Sequence, residues 1–70
     1  MIRKGTNVKW NWGKGYATGK VESTHSESIT RTIKGSEVTR NGSGDDKALL
    51  IKQEDGSKVL KLESEVKRDD

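Results

Sequence analysis

Seventy residues, 27% hydrophobic and 36% charged with a net charge of +3, suffice for one small domain with a single thin core. The absence of cysteine excludes disulfides and thiolate metal sites, and no apolar run approaches the roughly 18 residues of a membrane span. A core this thin leaves little room for a deep substrate cavity, while two Trp and many Val, Ile and Thr argue against disorder.

Taken in chain order, Gly5 ends a short basic lead-in, and Thr6–Trp12 then alternates strictly. Val8, Trp10 and Trp12 point one way and Asn7, Lys9 and Asn11 the other, the period of a half-buried strand. Gly13-Lys14-Gly15 gives a tight turn, and Tyr16–Thr24 reads as a second strand, with Gly19 as an expected bulge or bend. Ser23–Ser28 is polar and is expected to hold a loop around His25. Ile29–Lys34 is a third, β-branched strand, and Glu37–Arg40 continues or restarts it after Gly35.

Asn41-Gly42-Ser43-Gly44-Asp45-Asp46 is the strongest loop signal. Leu49-Leu50-Ile51 is a continuous apolar run typical of a strand covered on both faces. Asp55-Gly56 predicts a type I′ hairpin into a last strand, Lys58–Leu62. Glu63–Val66 predicts one closing helical turn with Val66 as a plug, and residues 67–70 are expected to fray. Five short strands without proline or a long helical pattern imply an all-β, closed or nearly closed barrel over residues 1–66, because an open sheet would leave edges and a face uncovered.

Chemistry-bearing residues are few. The lone His25 has neither Cys nor a second His beside it, so it reads as a surface residue, and Asp45-Asp46 reads as a turn former before half of a cation site. No catalytic residue, metal site or cofactor is assigned, and the glycines precede no helix that would cradle a phosphate. Trp10, Trp12 and Tyr16 fall within seven residues of one another. Trp10 is assigned to the core, Trp12 at its strand end fits either packing or exposure, and Tyr16 is placed on the rim. Trp12, Lys14 and Tyr16 thus form the nucleus of a candidate binding patch, with a methyl-lysine cage as a sub-case. Lys9, Lys14, Lys20, Arg31 and Arg40 form a candidate nucleic-acid surface. Residues 1–44 carry eight Lys/Arg and three Asp/Glu (net +5), against six and eight (net −2) over 45–70. Such asymmetry attracts a polyanion, although a solvated face of mixed sign is the simpler reading.

Gly5-Thr6-Asn7-Val8-Lys9-Trp10 followed by Gly15-Tyr16-Ala17-Thr18-Gly19-Lys20-Val21 resembles the opening of the Tudor-like domain of hypervirulence-associated proteins. The Gly35 segment, Asp45-Asp46, Asp55-Gly56 and Ser64-Glu65-Val66 extend the likeness over nearly the whole chain. Thr6 stands where the family often has Asp, Lys47 and Leu49 where it often has Pro and Tyr, and Lys61-Leu62 where many members have His-Lys. The resemblance implies a small five-stranded SH3/Tudor-like barrel and no particular reaction. The expected protein is a cytoplasmic, monomeric, non-catalytic module that binds a protein or peptide, with nucleic acid as the alternative partner. It carries neither a signal segment nor a membrane span.

Overall fold

The computed structural model describes residues 2–69. Among them seven strands form: β1 Asn7–Trp12, β2 Gly15–His25, β3 Ser28–Ile33, β4 Ser36–Asn41, β5 Ala48–Lys52, β6 Lys58–Leu62 and β7 Lys67–Arg68. A 3-10 turn, Glu63–Glu65, separates β6 from β7. Five strands make one antiparallel sheet in the order β6-β5-β2-β1-β7, and β3 pairs with β4 in a separate two-stranded sheet. After the 3-10 turn the chain returns beside its own first strand, which is how so short a meander curls round a core. The fold is the all-β, SH3/Tudor-like barrel that the sequence implies.

Its membership differs from expectation at two places. Ile29–Lys34 does not join the barrel: Ile33 lies directly opposite Ser36, so the strand closes on its immediate successor. The turn between them has Lys34 at φ +51° and Gly35 at φ +80°, the two left-handed residues of a type I′ hairpin. Local closure satisfies β3 before any distant strand can. The fifth barrel strand comes from the segment expected to fray. Lys67 and Arg68 pair with Lys9 and Val8, and the Asp69 N–H donates to the Asn7 carbonyl at 2.8 Å. The open edge of β1 offers unpaired backbone groups, and this tail meets them despite its charged side chains. Asp70 lies outside the described residues.

Strand parity divides the apolar residues into two clusters. Val8, Trp10, Val21, Leu49, Ile51, Ile2 and Val66 fill the barrel, with Ala17 and Val59 against them. Val66 is thus the plug expected behind the helical turn. Ala48 and Leu50 point the opposite way from Leu49 and Ile51, and with Leu60 and Leu62 they meet Ile29, Ile33 and Val38. The β3–β4 hairpin therefore covers the outside of β5–β6. That is why β5 is continuously apolar: the barrel buries one face of it and the hairpin the other.

The turns refine the picture. Gly13, at φ +58°, and Lys14 join Trp12 to Gly15 as a two-residue turn with glycine at its first position, the type II′ arrangement. Asp55-Gly56 is not type I′. Its loop has three residues, with the Gly56 N–H donating to the Gln53 carbonyl at 3.0 Å, the Gln53 N–H to the Ser57 carbonyl at 2.8 Å, and only Gly56 left-handed. The Asp55 carboxylate accepts from the Ser57 hydroxyl and N–H, which hold it below its usual range. The bulge lies at Glu22, where the register of β2 on β5 shifts, and not at Gly19. Gly19 serves close approach: a Cβ there would stand 2.5 Å from Ile51 Cγ2 and 2.9 Å from the Lys52 carbonyl.

The 41–46 loop is tied to the 3-10 turn. Asp46 accepts from the Ser64 N–H and hydroxyl, both at 2.8 Å, and Glu63 accepts from the Lys47 N–H at 2.9 Å. Asp46 is therefore a structural turn residue.

Candidate interaction surface

The β1–β2 hairpin positions most of the residues singled out in the sequence. Trp10 is buried in the barrel. Two residues on, in the same parity, Trp12 is 74% exposed because β1 has run past the end of the core. Tyr16 is 65% exposed. The register places Asn11 opposite Tyr16 and Trp12 opposite Gly15. Trp12 and Tyr16 therefore project from opposite faces of the hairpin, with Lys14 exposed in the turn between them. A cage needs aromatic faces converging on one cation. With Trp10 inside the barrel and the other two back to back, these three aromatics build none.

Tyr16 does have a cationic neighbour. Lys9 lies on the same face, its Nζ 5.3 Å from the centre of the Tyr16 ring. Lys20 shares that face further from the tip, opposite Asn7 on one side and Lys52 on the other. Arg31 is exposed on β3, away from the hairpin tip.

Arg40 belongs elsewhere. Its Nε donates to Glu65 Oε1 at 3.1 Å, and the same oxygen accepts the Leu62 N–H at 2.8 Å. The pair clasps the β3–β4 hairpin to the 3-10 turn. Burial pushes the Glu65 carboxyl up, but the Leu62 N–H, Arg40 and Lys61 outweigh it and hold it below the usual glutamate value. A group with a lowered folded pKa stabilises above its unfolded pKa, and that contribution is lost as pH falls through the folded value. Glu65→Gln should therefore cost roughly 0.5–1 kcal/mol at neutral pH, the range for a partly exposed pair. In urea titrations the gap from wild type should close as pH drops below about 4.5. A gap of constant size would disprove the clasp.

His25 is the last residue of β2 and not part of a loop. Its Nε2 is 2.9 Å from Ser23 Oγ and its Nδ1 3.8 Å from Glu27 Oε1. Sequence reasoning missed this trio: Ser23 and His25 share a face of β2 by strand alternation, and Glu27 comes from the bend that follows the strand. The order serine, histidine, acid is that of a nucleophile relay. Neither groove lined by the β1–β2 hairpin includes Ser23 or His25. Among the described residues no three His, Cys, Asp or Glu side chains gather into a metal site.

Sequence comparison adds one match. The family described as the Tudor domain of hypervirulence-associated proteins matches residues 5–66. No curated protein and no solved structure matches the chain. The match runs from the glycine that precedes β1 to the valine that plugs the barrel, and so takes in β1 to β6 and the 3-10 turn but not β7. This chain belongs to the Tudor-domain family of hypervirulence-associated proteins.

Proposed function

We propose that the domain is a non-catalytic interaction module that docks a protein or peptide partner through the tip of the β1–β2 hairpin, with Trp12 as its anchor. The observation that carries this reading is the exposure of Trp12, at 74%. A tryptophan held in water by a regular strand and a two-residue turn offers a large apolar surface for a partner to cover. Tryptophan is also the residue most enriched where binding energy concentrates. The turn fixes the backbone, so little ordering entropy is spent when a partner arrives. Lys14, beside Trp12 at the tip, would set charge preference at the rim.

A peptide-display selection against the wild-type domain tests the proposal. Binders so obtained should lose at least tenfold in affinity, about 1.4 kcal/mol, on Trp12→Ala. The amide spectrum of the variant should stay dispersed, with Trp10 unmoved. Binders that hold Trp12→Ala as tightly as wild type would refute the assignment.

A further inference from the structure

The face of the barrel opposite the Trp12 side carries a second set of residues. Lys58, Lys52 and Lys20 stand directly opposite one another on β6, β5 and β2, and Lys9 stands opposite Lys67 on β1 and β7. Like charges directly opposed in a sheet destabilise it. Here Lys52–Lys58, Lys20–Lys52 and Lys9–Lys67 are three such contacts on one face. Two carboxylates answer them: Glu22 reaches Lys58 at 3.5 Å, and Asp69 reaches Lys9 at 3.9 Å. Among the described residues Lys20, Lys52 and Lys67 form no ion pair.

The shape suits an extended ligand. Lys4, Lys20 and Lys52 line an open groove of about 830 Å3 together with the carboxylates Glu22, Glu54 and Asp69. Adjacent strands are about 4.8 Å apart, so the Lys58–Lys20 row spans about 10 Å and the Lys9–Lys67 row lies about 7 Å further along the strands. The exposed Tyr16 ring sits beyond Lys9 on the same face.

We infer that this face binds single-stranded nucleic acid, with phosphates over Lys20, Lys52 and Lys67 and a base stacked on Tyr16. Backbone phosphates supply the negative charge that these lysines lack. An exposed aromatic beside cations is the stacking platform that single strands use and that a paired duplex cannot reach. Because Trp12 projects from the other face, this inference and the peptide-docking proposal stand or fall separately.

Fluorescence anisotropy with a labelled oligothymidine of about 15 nucleotides, titrated between about 25 and 200 mM salt, tests it. Three phosphate contacts predict a slope of log affinity on log salt near −2. Lys20→Gln with Lys52→Gln should bring the slope to about −0.7 and weaken low-salt binding at least tenfold. Tyr16→Ala should weaken binding about tenfold and leave the slope unchanged. Arg31→Gln with Lys34→Gln removes the same charge from the β3–β4 hairpin and should change neither quantity beyond twofold. The lysine double variant should melt no lower than wild type, because it relieves repulsion. Absence of binding at the lowest salt, equal loss from the Arg31/Lys34 pair, or a lower melting point for the lysine variant would overturn the inference. So would tighter binding to duplex DNA or to phosphatidylserine vesicles than to the single strand.

Discussion

Gly42→Ala should cost about 3 kcal/mol or more, the upper end for forcing extra atoms into a packed site. A Cβ at Gly42 would overlap the His25 carbonyl oxygen, and would also stand 2.8 Å from the Ala48 nitrogen and 2.9 Å from the Glu27 carbonyl oxygen. All three atoms are backbone, so no rotamer change relieves the overlap. Two of them lie where β2 ends and β5 begins, the pairing that joins the halves of the barrel. A domain of this size has roughly 4–10 kcal/mol of total stability, so the variant should be largely unfolded under mild denaturant. Gly44→Ala is the control: its Cβ meets nothing within 4 Å, and its stability should stay within about 1 kcal/mol of wild type. Gly19→Ala should fall between the two, because part of its clash is with the movable end of Ile51. Chemical denaturation of the three variants ranks them, and a Gly42→Ala midpoint equal to that of wild type would invalidate the packing described at the base of the hairpin.

The two tryptophans should differ as sharply. Trp10 is 6% exposed among Val8, Val21, Leu49 and Ile51, and Trp10→Ala should cost about 3–5 kcal/mol. Trp12→Ala removes a side chain already in water and should stay within about 0.5 kcal/mol. Fluorescence of single-tryptophan variants gives the matching readout. The protein that keeps Trp12 should emit like free indole in water and be quenched readily by iodide, while the protein that keeps Trp10 should be blue-shifted and protected. Comparable destabilisation by both alanine substitutions would contradict the division of β1 into a buried and a free end.

Much of this architecture is legible in the sequence, because strand alternation is a local signal. Thr6–Trp12, the apolar run at Leu49-Leu50-Ile51 and the plug at Val66 each declare their burial through their neighbours. Pairing is less legible, because it is decided by what else competes. Nothing within Ile29–Lys34 says that its partner is the next strand; that follows from a Lys-Gly turn tight enough to close first. Lys67-Arg68 carries no period at all and becomes a strand only because β1 has a free edge. The candidate surface follows the same rule. Nearness in sequence grouped Trp12 with Tyr16, whereas the two-fold period of a hairpin separates residues on its two strands by register and not by distance along the chain. The lysine rows escaped notice for the converse reason: Lys9, Lys20, Lys52, Lys58 and Lys67 are scattered over most of the chain, and only the pairing of five strands assembles them.

The β3–β4 hairpin has one further consequence. Its backbone hydrogen bonds close within its own two strands, and it meets the barrel through one apolar cluster, the packing of Gly42 and the Arg40–Glu65 clasp. Lifting it away would break none of the ladders of the five-stranded sheet. Proteins open along such seams at a lower free energy than that of global unfolding. The domain is therefore two hydrogen-bonded units joined by side-chain packing, a barrel and a flap. What the flap covers is the apolar back of β5 and β6, a strip of Ala48, Leu50, Leu60 and Leu62. For a chain with so little apolar material, colloidal behaviour rests on how firmly that flap stays shut.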